Sequence, residues 1–145
     1  MTVEVKRYDI NAAPDSGRPR IVTFTSDAGQ LAVHCCRESG ALWMFAIGPA
    51  GGDRGKVVFG LSRAADVLAW VEDPERRASV LYSLHGWMTI REKAERGDVL
   101  TVGQSGWARQ WHMPLDDAAR DEMLLCMRQW ATAVLAETER EAEPA

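Results

Sequence analysis

Residues 57–66, "VVFGLSRAAD", and residues 111–120, "WHMPLDDAAR", follow one plan: an apolar strand, a leucine, a small polar residue suited to capping a helix, and an Ala-Ala pair that opens one. These two junctions decide the fold. Each sets a strand-rich segment directly before a helix, as a duplicated strand-rich unit plus helix would. Two generic strand-to-helix junctions also produce such an echo without duplication.

Ahead of the first junction, turn signals punctuate short alternating segments. "TVEVKRYDI" (2–10) alternates as a strand does, and "NAAPDSGRP" (11–19) is a Pro and Gly turn cluster. "RIVTFTS", the turn "DAGQ", "LAVHCC", the turn "RESG" and "ALWMFAI" follow. Connections this short cannot make a parallel crossover, so these strands form an antiparallel meander. "GPAGGDRG" (48–55) reads as a hairpin loop before the strand "KVVFG". Ser62 is the expected N-cap of a helix carrying Ala64, Val67, Leu68 and Val71 at helical spacing until "EDP" stops it.

Between the junctions, two readings of residues 74–96 stand side by side. From Val80 to Ile90 the even positions are Val, Tyr, Leu, Gly, Met and Ile, which favours a hairpin turning at His85 and Gly86. A helix opened by Asp73 and Pro74, resumed through "TIREKAER" and closed by Gly97, is the rival. "DVLTVG" and "WARQWHM" then make a hairpin around "QS". Residues 116 to about 137 give the longest helix, with Ala119, Met123, Leu124, Met127, Trp130, Ala131, Val134 and Leu135 in one wide stripe. Asp116 and Asp117 lie where the helix dipole favours anions.

The expected fold is therefore α+β: an antiparallel β-sheet, a meander of short strands, packed against two main helices near residues 62–72 and 116–137. Residues 1–136 are expected to form a single α+β domain, with 137–145 an acidic, disordered tail. With the second-half hairpin, the order is one extra strand, four strands, a helix, four strands and a helix. That order is similar to the arrangement in the Whirly and PUR groups of single-strand binders; the similarity lies in element order, and no motif carries residues across.

Of the net charge of −4, the tail "ETEREAEPA" holds four Glu against one Arg, or −3, leaving −1 for the remainder. A nearly neutral body argues against a strongly electrostatic nucleic-acid binder, which needs a basic excess on one face. Arginine outnumbers lysine 14 to 3, and arginine is the cation that stacks and makes bidentate contacts. The first ten residues lack a basic n-region and an apolar h-region, and "ALWMFAI" is too short to span a bilayer, so the expected setting is cytoplasmic, away from membranes. Three cysteines, two of them adjacent and none in CxxC spacing, suit reduced thiols.

Chemical motifs mostly fail. In "GPAGGDRGK" a phosphate loop would need Gly at position 50, which is Ala, and Ser or Thr at 57, which is Val. "GQSGW" lacks the spacer of a nucleophile elbow. His34 and Cys36 share a strand face but would need two further zinc ligands from afar. The expectation is no catalytic residue, no metal and no cofactor.

"SGWARQWHM" (105–113) places Trp107, Arg109, Trp111 and Met113 on one strand face. Either they pack beneath the long helix or Trp107, Arg109 and Trp111 form an exposed platform. Six tryptophans exceed what a core of this size needs, so Trp43 and Trp87 join them as candidate binding residues. Two functions follow. The first is a non-catalytic protein acting through a protein partner: a small inhibitor, immunity protein, chaperone or anti-defence factor from a bacterium or mobile element. The alternative is a single-stranded nucleic-acid binder with a Trp- and Arg-bearing sheet face. A face collecting Arg18, Arg20, Arg37, Arg76, Arg77 and Arg109 would favour the second, and dispersed arginines the first. A homodimer fits either.

Overall fold

The computed structural model describes residues 4–8, 21–35, 39–93, 97–104 and 110–142. Five strands, β1 (Glu4–Tyr8), β2 (Ile21–Ser26), β3 (Gly29–Cys35), β4 (Leu42–Ile47) and β5 (Asp53–Phe59), pair antiparallel in sequence order. A 3-10 turn (Leu61–Arg63), α1 (Ala64–Glu72) and the single-turn α2 (Pro74–Arg77) follow. A second antiparallel sheet, β6 (Leu81–Tyr82), β7 (Gly86–Lys93), β8 (Gly97–Gln104) and β9 (Gln110–Leu115), leads into α3 (Asp117–Ala142). The fold is α+β with antiparallel sheets and two long helices, as the alternation required. The expected meander is split into two sheets rather than one.

Residues 74–93 combine the two readings of the sequence, and 94–96 lie outside the described residues. Asp73 and Pro74 do open a helix, with the Asp73 carboxylate accepting from the Glu75 N–H at 3.0 Å, but it ends after one turn. The chain then forms the hairpin, because Met88 and Ile90 are needed in the core.

Alternation sorts each sheet into a buried and an open face. On the first, Val22, Phe24, Leu31, Val33, Leu42, Met44, Val57 and Phe59 are at most 2% exposed. On the second, Leu81, Met88, Ile90, Leu100, Val102, Trp111 and Met113 point inward. Val67, Trp70 and Val71 of α1 and Met123, Met127 and Trp130 of α3 complete one contiguous apolar cluster joining both sheets and both helices. Removing that much apolar surface from water is the main drive for folding.

Three buried indoles fasten this core. Trp70 Nε1 donates to Ser79 O at 3.1 Å, Trp111 Nε1 to Ala28 O at 3.0 Å, and Trp130 Nε1 to Gly40 O at 2.7 Å. A buried indole N–H without an acceptor would be costly, so these bonds fix where the loops lie. The β2–β3 turn is tight: a Cβ at Gly29, which has φ 123°, would collide with the carbonyl of Ile47.

Two expectations are corrected. Ser62 does not cap α1: it lies inside the 3-10 turn, and no side chain caps either the turn or the helix. The helix α3 continues through Ala142 instead of ending near residue 137, and residues 137–141 on it are exposed. Glu, Arg and Ala are good helix formers, and the first breaker, Pro144, comes later.

Candidate binding surfaces

On the open face of the first sheet, β3 and β4 bring three rings together. His34 and Trp43 are direct cross-strand partners with centroids 6.2 Å apart, His34 and Phe45 lie 5.7 Å apart, and Trp43 and Phe45 lie 5.4 Å apart. Their planes are within 30° of parallel, and all three are half-buried. Lys56 of β5 places its ammonium 5.6 Å from the Trp43 ring, a cation–π contact. The next register partners, Ala32, Lys56 and Val58, include no carboxylate. Burial pushes the His34 imidazole below its ordinary 6.5, which keeps it neutral in the stack at neutral pH. The Trp43 Nε1 is enclosed and has no hydrogen-bond partner among the described residues.

The second surface is the β6–β7 hairpin. Ser83 Oγ accepts three backbone N–H groups, from Val58 at 3.1 Å, His85 at 3.3 Å and Gly86 at 3.1 Å. The Ser83 N–H donates to Gly86 O at 2.7 Å. The tip is thereby pinned both internally and to β5. It holds Leu84 out at 82% exposure, with Tyr82 at 61% beside it. Leu61, at 51%, belongs to the same end, because Arg63 Nη2 donates to Tyr82 O at 2.9 Å. Trp87 pairs across the strands with Tyr82, is half-buried, and packs against Gly103, where a Cβ would come within 2.2 Å of the indole.

Of the five residues singled out from sequence, Trp43 and Trp87 lie on these open faces. Trp111 does not: at 7% exposure, with Met113 fully buried beside it, it belongs to the core. Trp107 and Arg109 lie outside the described residues, so of the expected Trp107, Arg109 and Trp111 platform only the buried Trp111 is described. Of the arginines expected to mark a nucleic-acid face, Arg76 sits 3.9 Å from Asp73 and Arg77 donates to Val71 O, both on or beside α2. Arg18, Arg20, Arg37 and Arg109 lie outside the described residues. Arg120 is engaged by Asp98 at 2.7 Å, Asp121 at 3.1 Å and Asp117 at 3.2 Å, and the Asp98 hydrogen bond above all raises its pKa.

Phe45, Lys56, Tyr82 and Leu84 escaped the sequence reading as binding residues, and His34 entered it only as half of a zinc pair. "ALWMFAI" is apolar on both faces of its strand, which was the available signal that its second face is not ordinary solvent surface. Cys36, half of the considered zinc pair, lies outside the described residues. No group of three or more His, Cys, Asp or Glu is placed to hold a metal among the described residues, and no helix there is long and apolar enough to cross a membrane. No known protein family matches the chain, and no curated protein is significantly similar to it.

Proposed function

We propose that this chain is a non-catalytic binding protein that acts through a protein partner, engaged by the β6–β7 hairpin, in a cytoplasmic setting. One observation carries the reading: Leu84 is 82% exposed on a turn whose backbone Ser83 locks by three accepted hydrogen bonds. Holding a large apolar side chain in water gives a fold nothing, whereas a rigid apolar knob beside an exposed tyrosine loses little conformational entropy on docking. Interfaces concentrate their energy in such central apolar and aromatic anchors. The arginines whose bonds were described above are spent within the molecule, and the net charge of −4 gives little attraction to phosphate.

The test is a photo-crosslinking amino acid placed at position 84 and, as control, at the exposed His112, in the native host. A discrete adduct formed from position 84 and not from 112 supports the reading and identifies the partner, a second copy of the chain included. No adduct, or the same adducts from both positions, overturns it.

A second reading has its own observation, the His34–Trp43–Phe45 stack with Lys56 and no acidic register neighbour. Such a face suits stacking of unpaired bases. Titration of oligo-dT and mixed RNA at low and moderate salt, with wild type and Phe45→Ala, separates it from the first. Tight binding that weakens with salt and with loss of Phe45 would favour single strands; the expected result is no binding even at low salt.

A further inference from the structure

The β6–β7 hairpin crosses the outer edge of β5. Gly86 sits so close that a Cβ there would stand 2.5 Å from Lys56 O and 3.5 Å from Val57 Cγ1, and Ser83 Oγ accepts the Val58 N–H at 3.1 Å. On one side of this crossing β7 carries Met88 and Ile90 into the core. On the other side only Ser83, Leu84 and His85 remain, so the tip stands past the β5 backbone, away from the core and toward the open face of the first sheet.

That open face carries the aromatic stack right up to β5. Val58 is the register partner of Trp43, and Lys56 that of Phe45, so both project from the same face as the rings. The stack is thus a floor, and the tip with Leu84 at 82% exposure is a wall raised along its β5 side. Val58, although on the open face, is only 8% exposed, as a residue in the angle between floor and wall should be. The Lys56 ammonium lies 5.6 Å from the Trp43 ring, and no carboxylate pairs with it among the described residues.

We infer that the protein partner seats an amphipathic helix in this corner, its apolar side chains on Phe45, Trp43 and Leu84 and a carboxylate beside Lys56. The inference rests on the partner reading above and enlarges its footprint from the tip to the stack. Occupancy of the β5 edge selects a helix: the Val58 N–H is spent on Ser83 and Lys56 O is covered by Gly86, so an incoming strand finds no free ladder there. What the corner offers is side chains. Rings and a leucine meeting at an angle match the apolar stripe of a helix, which fills such a groove at i, i+3, i+4 and i+7. The charge selects the sign, because an ammonium without a counter-ion, on a face with no acidic register neighbour, is complemented by Asp or Glu.

The test places an aromatic photo-crosslinking amino acid at position 45 or at position 84 of the full chain in the native host and maps the adducts on the partner. Both positions should mark one segment of the same protein, with apolar residues at helical spacing and at least one Asp or Glu. Lys56→Glu should weaken the purified complex about tenfold or more, as facing like charges do. Changing the mapped carboxylate of the partner to lysine should restore binding to that variant; Lys56→Gln, which keeps the length of the side chain, gives a second measurement if Lys56→Glu fails to fold. An adduct from position 84 and none from 45 overturns the corner and leaves the partner reading standing, whereas none from 84 overturns both. Affinity unchanged in Lys56→Glu and in Lys56→Gln overturns the inference, as does tight single-strand binding that Phe45→Ala abolishes.

Discussion

At the second junction Leu115 is the last residue of β9, 4% exposed, and Asp116 caps α3 by accepting the Ala119 N–H at 2.7 Å. At the first, Leu61 has already left the sheet, stands 51% exposed in a 3-10 turn, and Ser62 caps nothing. The helices differ accordingly: α1 has nine residues and α3 twenty-six. The two strands also end at different points relative to the leucine. Pro114 lies within β9 on the edge of its sheet, where a missing N–H costs nothing, and the strand runs on through Leu115. At the first junction β5 ends at Phe59, and Gly60 follows in an extended conformation (φ −69°, ψ 171°) that any residue adopts. Two similar strings of letters thus give a buried, capped junction and an open one, which speaks against reading the echo as a repeated structural unit. The open junction is also the one bonded to the hairpin.

The largest effect should come from the anchored helix. Trp130→Ala should cost about 3–5 kcal/mol in denaturant unfolding, the usual range for a buried aromatic. A loss below about 1 kcal/mol would mean that α3 is not held by this face. Next, Leu84→Asp should weaken partner binding by about 2 kcal/mol or more while leaving stability nearly unchanged. Equal losses of binding and stability would make the hairpin structural.

Capping compares the junctions directly. Asp116→Ala should cost about 1 kcal/mol, and Ser62→Ala less than about 0.5 kcal/mol. Equal costs would erase the contrast drawn above. Smaller still is the effect of pH on His34, whose folded value lies below the ordinary 6.5. As pH falls through 6.5 the unfolded chain takes up that proton first, so the His34 contribution is full above this value and is lost below it. Thermal melts of wild type and His34→Phe on either side of it should diverge only on the acid side. Truncation after Ala136 should leave the melting temperature within a degree or two, roughly the effect of removing exposed helix that buries nothing.

Strand alternation and the α3 stripe were legible because each depends on local periodicity: Met123, Met127 and Trp130 are where their spacing puts them. The split into two sheets was not, since it depends on how β5 crosses the second sheet. The open faces were only half legible. Trp43 and Trp87 stood out by residue type, but Trp111 carries the same signal and is buried, its N–H bonded to Ala28 eighty-three positions away. Exposure of Leu84 follows from a tertiary contact, Val58 to Ser83, which periodicity does not encode.

The bond from Trp130 to Gly40 spans ninety positions. During synthesis the first sheet leaves the ribosome long before the residue that fastens its β3–β4 turn exists. Until then its inner row of Phe24, Leu31, Met44 and Phe59 has no α3 to cover it. Such long-range closure makes assembly slow and leaves an adhesive intermediate. This chain is therefore expected to need a holding factor, or dilution and low temperature, between translation of β5 and docking of α3.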